Sequence, residues 1–174
     1  LNMRSRSSAN FELKDIRRIA SLCRRMNVRS YIALNTIVYD DEIPEVENII
    51  SEAAASGVSA VIASDMAVME AARAAGLEVH VSVQANICNM SAVRFYSKYA
   101  DVLVLARELT LPQIKTICDA VREENIRGPS GRLVRMEIFA HGALCAAVSG
   151  RCYMSLGVYN SSANRGACFQ NCRR

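Results

Sequence analysis

The feature that most constrains the fold is an alternation repeated along the whole chain. Short apolar, β-branched runs are each separated by a segment whose apolar residues recur at helical spacing. Residues 31–38, 59–63, 77–83, 102–106 and 133–139 read as buried strands. Ahead of the first strand, Leu13, Ile16, Ile19, Ala20, Cys23 and Met26 lie on one face of a helix that Asn10 is placed to cap. Ile43, Val46, Ile49, Ile50 and Ala53 form the next, stopped by Gly57. A third helix spans 66–75 between Asp65 as cap and Gly76 as stop, and a fourth spans 92–99 with Ser91 as cap. The last has Thr110 as cap, Pro112 in its first turn, and Ile114, Ile117, Cys118 and Val121 inside.

This rhythm predicts a parallel sheet with right-handed crossovers, either an open doubly wound sheet or a closed eight-stranded barrel. Five strands are too few to close that barrel, but no glycine-rich phosphate fingerprint follows any strand, which removes the usual support for a dinucleotide fold. The expected fold is α/β, an incomplete (β/α) TIM-like barrel forming one partial domain over residues 1–174, with a cysteine-rich segment at 137–174. The chain opens at Leu1 and not at a methionine, so it is expected to be part of a longer protein.

Half the residues are hydrophobic (51%), enough to bury a core, and Lys plus Arg (21) only mildly exceed Asp plus Glu (17). That excess favours an anionic partner without demanding one. No apolar run approaches the roughly 20 residues of a membrane helix, and the first residues lack the apolar centre of a signal peptide. No membrane association and a cytoplasmic location are expected. In a reducing compartment, seven cysteines argue for metal binding, catalysis or burial over a disulfide framework.

Four of those cysteines, with His141, crowd into 137–172. Six residues separate Cys145 from Cys152, fifteen separate Cys152 from Cys168, and three separate Cys168 from Cys172. Zinc sites favour two close pairs, and only Cys168 with Cys172 makes one. A thiol protease needs an activated cysteine with a histidine base; His141 precedes Cys145 by four residues and faces it only if the segment is helical, which Gly142 disfavours. An iron-sulfur cluster tolerates widely varying spacings and uses most of the thiols. Cys23 and Cys118, on apolar helix faces, read as plain core thiols; Cys88 is left undecided.

Every strand ends in hydrogen-bonding residues: Asn35 and Thr36, Ser64 and Asp65, Gln84 and Asn86, Arg107 and Glu108, and Glu137 followed by His141. Strand C-terminal ends are where barrels and open α/β sheets bind ligands, so these residues are expected to share one mouth with the cysteines, although Thr36, Ser64 and Asp65 equally suit plain loop and cap roles. His80 lies on a polar strand face, where a structural hydrogen bond is the simpler role. Arg4 and Arg6, with Arg107, Arg151, Arg165, Arg173 and Arg174, would give the mouth a positive rim. With Tyr153, Tyr159 and Phe169 they would suit unpaired RNA.

The run EIFAHGALCAAVSGRCYMS resembles the signature of peptidase family U32, the collagenase-like proteins, at Glu137, Phe139, Gly142, Cys145, Gly150, Cys152 and Ser155. LNMRSRSSANF, HVSVQAN, ARELTL and NRGACFQNCRR extend the resemblance over essentially the whole chain. It implies a (β/α) barrel whose first strands precede Leu1. It also implies either RNA hydroxylation or a peptidase activity without an agreed mechanism. In the iron-sulfur relatives the matching ligands here are Cys145, Cys152 and Cys168. The fourth commonly lies further downstream, and Cys172 could serve instead. The expected function is therefore tRNA uridine 5-hydroxylation with a prephenate-like carboxylate donor and a 4Fe-4S cluster at Cys145, Cys152, Cys168 and Cys172. Glu137, His141, Arg107 and Glu108 would carry chemistry, and Arg4, Arg6, Asn35, Gln84 and Asn86 would contact substrate. A collagenase-like peptidase is the alternative, and a non-catalytic RNA-binding module a second. Open sheet edges would also allow homo-oligomers.

Overall fold

The computed structural model describes residues 11–142 and 144–173. The expected cap Asn10, along with Arg4, Arg6 and Arg174, lies outside the described residues. Five strands form one sheet: β1 (Tyr31–Leu34), β2 (Ala60–Ala63), β3 (Glu78–Val81), β4 (Val102–Val104) and β5 (Arg135–Glu137). Each pairs in parallel with the next, in the order 1-2-3-4-5. A doubly wound sheet reverses its strand order at a switch point. This sheet has no reversal, and with its helical crossovers it is α/β and consistent with an incomplete TIM-like barrel.

The helices are α1 (Ile16–Arg25), α2 (Ile43–Ser56), α3 (Met66–Ala74), α4 (Met90–Tyr96), α5 (Leu111–Glu123) and α6 (Met154–Tyr159). Strand alternation sends Ile32, Leu34, Val61, Ala63, Val79, Val81 and Leu103 into a core shared with Ile16, Ile50, Met69, Val93 and Ile117 of the helices. Each large aliphatic side chain so buried contributes about 1.5–3 kcal/mol. The other face follows the register Ala33, Ile62, His80, Val102, Arg135. His80 is buried there and its Nε2 lies 2.9 Å from Glu78 Oε1, a structural hydrogen bond. The same Glu78 carboxylate receives Arg29 at 2.8 Å and Arg135 at 2.5 Å.

Helix ends are set by capping chemistry. Gly57, at φ 73°, closes α2 with its N–H on the Ala54 carbonyl while Val58 N–H reaches Ala53, so the left-handed residue there favours glycine. Asp65 caps α3 by accepting from Ala67 N–H at 3.0 Å. The fourth helix starts earlier than its apolar pattern suggests: Asn89, and not Ser91, accepts from Ala92 N–H at 3.0 Å. Strands are also shorter than their apolar runs. Beyond Leu34 the chain leaves the sheet, and Ile37 N–H bonds the Asn164 carbonyl at 3.2 Å. Beyond Val81, Ser82 caps a single 3₁₀ turn that ends at Asn86, φ 51°. No described helix is long and apolar enough to cross a membrane.

Candidate functional site at the strand C-termini

The polar residues just past the strands meet at one end of the sheet. Asn35, just past β1, donates from Nδ2 to Ser82 Oγ just past β3 at 3.2 Å, across the intervening strand. Asp65, just past β2, uses its second oxygen to accept from Val38 N–H at 3.1 Å, fixing the loop after β1. Gln84 sits in the 3₁₀ turn after β3, and Arg107 three residues past β4. Glu137 is the last residue of β5 and, like Glu108, is exposed; Asn86 is half-buried.

The segment after β5 folds back over this mouth. Arg107 donates from Nε and Nη2 to Ser149 Oγ at 3.2 and 2.8 Å, and from Nη2 to the Ala147 carbonyl at 3.2 Å. Gly150 comes next at φ 76°, so close to the Gln84 carbonyl oxygen that a Cβ there would collide with it. Asn164, only 7% exposed, accepts on its side-chain oxygen from Cys152 N–H at 3.3 Å. Ser155, 1% exposed, accepts from Phe169 N–H at 2.8 Å. Arg165 reaches Glu42 at 2.5 and 2.9 Å and stacks 3.8 Å above the Tyr39 ring. Of the arginines expected to rim the mouth, Arg107 and Arg165 thus hold the segment down.

Two hollows result. One of about 110 Å³ is walled by Asn35, Ser64, Asp65, Gln84, Gly150 and Asn164, with Ile37 as its apolar side. The other, about 400 Å³, is bordered by Arg107, Phe139, Ala140, His141, Gly142 and Leu144. One amide atom of Asn35 is buried without a hydrogen-bond partner among the described residues. Ser82 Oγ holds the other, so turning the amide over exchanges which atom is left unpaired. An unsatisfied buried polar atom costs about 1–3 kcal/mol, which a bound polar guest would recover.

The thiols lie in the covering segment. Cys145 is exposed, and the Ala147 N–H holds its thiol below the ordinary value; partial burial opposes this, while Arg107 and Arg173 reinforce it. Cys152 and Cys168 are half-buried and Cys172 is exposed. Among the described residues no three His, Cys, Asp or Glu side chains gather closely enough to hold a metal ion. The four thiols are of the type that ligates an iron-sulfur cluster and lie on one segment, but the described structure does not bring them together around one point.

Ser149, Ser155 and Asn164 were not singled out by composition or spacing. Each is a buried polar residue that ties the segment to itself or to Arg107. Asn164 had one signal, its position at the head of NRGACFQNC, and Ser155 had another, as the final matched residue of the EIFAHGALCAAVSGRCYMS run.

Comparison with known proteins places the chain. The model of peptidase family U32 matches residues 1–174. A protein named collagenase from Porphyromonas gingivalis is 54% identical over 100% of this chain and 42% of its own length. A 23S rRNA 5-hydroxycytidine synthase from Escherichia coli is 36% identical over 97% of this chain and 24% of its own. A tRNA hydroxylation protein from Bacillus subtilis is 30% identical over 97% of this chain and 38% of its own. The chain spans less than half the length of these relatives. No solved structure matches it. With its whole length matched by the family model and its fold a run of parallel β/α units, the chain belongs to peptidase family U32.

Proposed function

We propose that the protein of which this chain forms the barrel portion hydroxylates a pyrimidine in RNA, with tRNA uridine as the leading substrate and a prephenate-like carboxylate as the hydroxyl source. The observation that carries this reading is four thiols on one segment folded over a polar mouth, among them Cys145. Its polarising neighbours are a backbone N–H and two guanidinium groups, with no carboxylate or imidazole among them. That setting favours the thiolate, the form that ligates a metal cluster and also the form that attacks as a nucleophile, so the choice between the two rests on the relatives. Relatives named for rRNA and tRNA hydroxylation support the same reading.

In this reading Cys145, Cys152 and Cys168, with Cys172 as fourth, would hold a 4Fe-4S cluster, which when bound supplies one-electron chemistry at the mouth. Arg107 and His141, bordering the larger hollow, would attract and orient the anionic donor. Glu108 and Glu137 would exchange protons with the reacting groups, and Asn35, Gln84 and Asn86 would contact the base. Arg4 and Arg6, outside the described residues, would grip phosphates. Anaerobic purification of the full-length protein should give a brown sample containing iron, and deleting the gene should remove 5-hydroxyuridine from tRNA. A colourless, iron-free protein together with unchanged tRNA would sink the reading.

A peptidase acting on collagen-like or unfolded chains is the second reading, favoured by the 54% identity to a protein named collagenase. It requires gelatin cleavage that disappears in Cys145→Ala.

A further inference from the structure

The two hollows at the mouth differ in charge. The larger is bordered by Arg107 and His141, whereas among the described residues no cationic side chain borders the smaller. Its one ionisable wall residue, Asp65, has an N–H on each oxygen, from Ala67 and Val38. That carboxylate is committed to the backbone, and its charge disfavours any anionic guest beside it. The remaining polar wall is mostly amide: Asn35 with an unpaired amide atom, Gln84 with a donor and an acceptor, and Asn164, whose oxygen already takes Cys152 N–H and whose NH₂ is therefore what it has to offer. Ser64 adds a hydroxyl. At about 110 Å³ the space holds about four waters, or one small ring, and not a whole nucleotide.

We propose that this hollow, walled by Asn35, Ser64, Asp65, Gln84, Gly150 and Asn164, is a subsite for a neutral lactam edge, such as the N3–H and C4=O edge of a single extruded pyrimidine. This rests on the RNA reading above and assigns the base to the neutral hollow and the anionic donor to the one at Arg107. Together these amides match such an edge: Gln84 presents a donor and an acceptor side by side, Asn164 offers its NH₂ and Asn35 its one unpaired atom. A base taken out of its stack is read in this way, on its pairing edge inside a fitted pocket. The covering segment forms one wall through Gly150 and Asn164, so the subsite exists only while that segment is docked.

The test is a ligand-observed NMR titration of the purified protein with uridine, with 3-methyluridine, whose N3–H is blocked, and with uridine in the presence of malonate. Uridine should bind at least tenfold more tightly than 3-methyluridine, and malonate should not displace it. Asn35→Leu and Gln84→Met should each weaken uridine binding at least tenfold while the circular dichroism spectrum is unchanged. If either variant unfolds, the comparison of the two nucleosides on the unaltered protein decides alone. Equal binding of the two nucleosides, or displacement of uridine by malonate, would overturn the proposal. The titration needs neither iron nor turnover, so a colourless protein and unchanged tRNA would fail the hydroxylation reading separately from this one.

Discussion

Arg107 and Ser149 are joined by a forked hydrogen bond in which Nε and Nη2 both donate to the hydroxyl oxygen, at 3.2 and 2.8 Å. The fork ties the residue three past β4 to the segment that carries the thiols. It needs a planar group with two N–H bonds facing one way, which a lysine cannot supply. The same guanidinium is one of the groups that lower the Cys145 thiol, after the Ala147 N–H.

Arg107→Met should therefore raise the Cys145 pKa and slow its alkylation. A thiol held below its ordinary value is more fully ionised at neutral pH, and the thiolate is the reactive form. The rate of iodoacetamide labelling at Cys145, followed by mass spectrometry against pH, should shift to higher pH and fall several-fold at pH 7. An unchanged profile would leave the Ala147 N–H and Arg173 as the effective causes.

Gly150→Ala should destabilise the protein and loosen the mouth. The residue sits at φ 76°, which side chains rarely adopt, and its new Cβ would meet the Gln84 carbonyl, a backbone atom that cannot swing aside. A cost of about 1–3 kcal/mol corresponds to a fall in melting temperature of roughly 2–4 °C per kcal/mol for a chain of this size. Gly131→Ala, at a matching φ of 74° with open space around its Cβ, is the comparison for backbone strain alone. If both lower the melting temperature equally, the close approach to Gln84 contributes nothing.

Glu78 links stability to pH. Burial pushes its carboxyl up, but hydrogen bonds from His80 and Arg29 outweigh this and hold it below the ordinary value. A carboxyl with a depressed folded pKa adds stability that is present above its ordinary value and lost as pH falls through the folded one. Glu78→Gln should cost about 1–3 kcal/mol at neutral pH, because it removes the charge facing Arg29 and Arg135 and replaces one of the two acceptor oxygens shared by Arg29, Arg135 and His80 with an NH₂ donor. Urea unfolding at pH 7 and at pH 3 should show the gap between the two proteins shrinking in acid. A gap independent of pH would contradict the linkage.

The sheet, its strand order and the core faces were legible because apolar periodicity and capping residues are local. Val61 and Val79 each stand out as β-branched residues within an apolar run, and both are buried. Strand ends were less legible: an apolar residue such as Ile37 looks like strand, but the Asn164 carbonyl, 127 residues away, takes its N–H. The polar mouth could be read from the residues just past each strand. The fastening of the cysteine segment could not, since Arg107 to Ser149 and Glu42 to Arg165 are pairings between distant residues that no spacing rule encodes. Composition made Arg165 one cation among many, yet its ring contact and ion pair make it a strut.

That strut gives the last prediction. Arg165 joins the Glu42 carboxylate, the Ile37 carbonyl and the Tyr39 ring, all in the loop and turn between β1 and α2. The pair is partly exposed, with about a third of each side chain open to solvent, so its Coulombic share is modest. Its effect should therefore be local. Arg165→Ala should leave global unfolding almost unchanged while opening the covering segment, because the Ile37 to Asn164 hydrogen bond loses its neighbouring clamp. Chymotrypsin, which can cut at Tyr153, Tyr159 and Phe169, should cleave the variant several-fold faster within the segment while cutting elsewhere at the original rate. Glu42→Gln should have the same effect in smaller degree, since the ring contact to Tyr39 survives. Equal cleavage of all three proteins would mean that the Arg165 clamp is not needed to keep the segment docked.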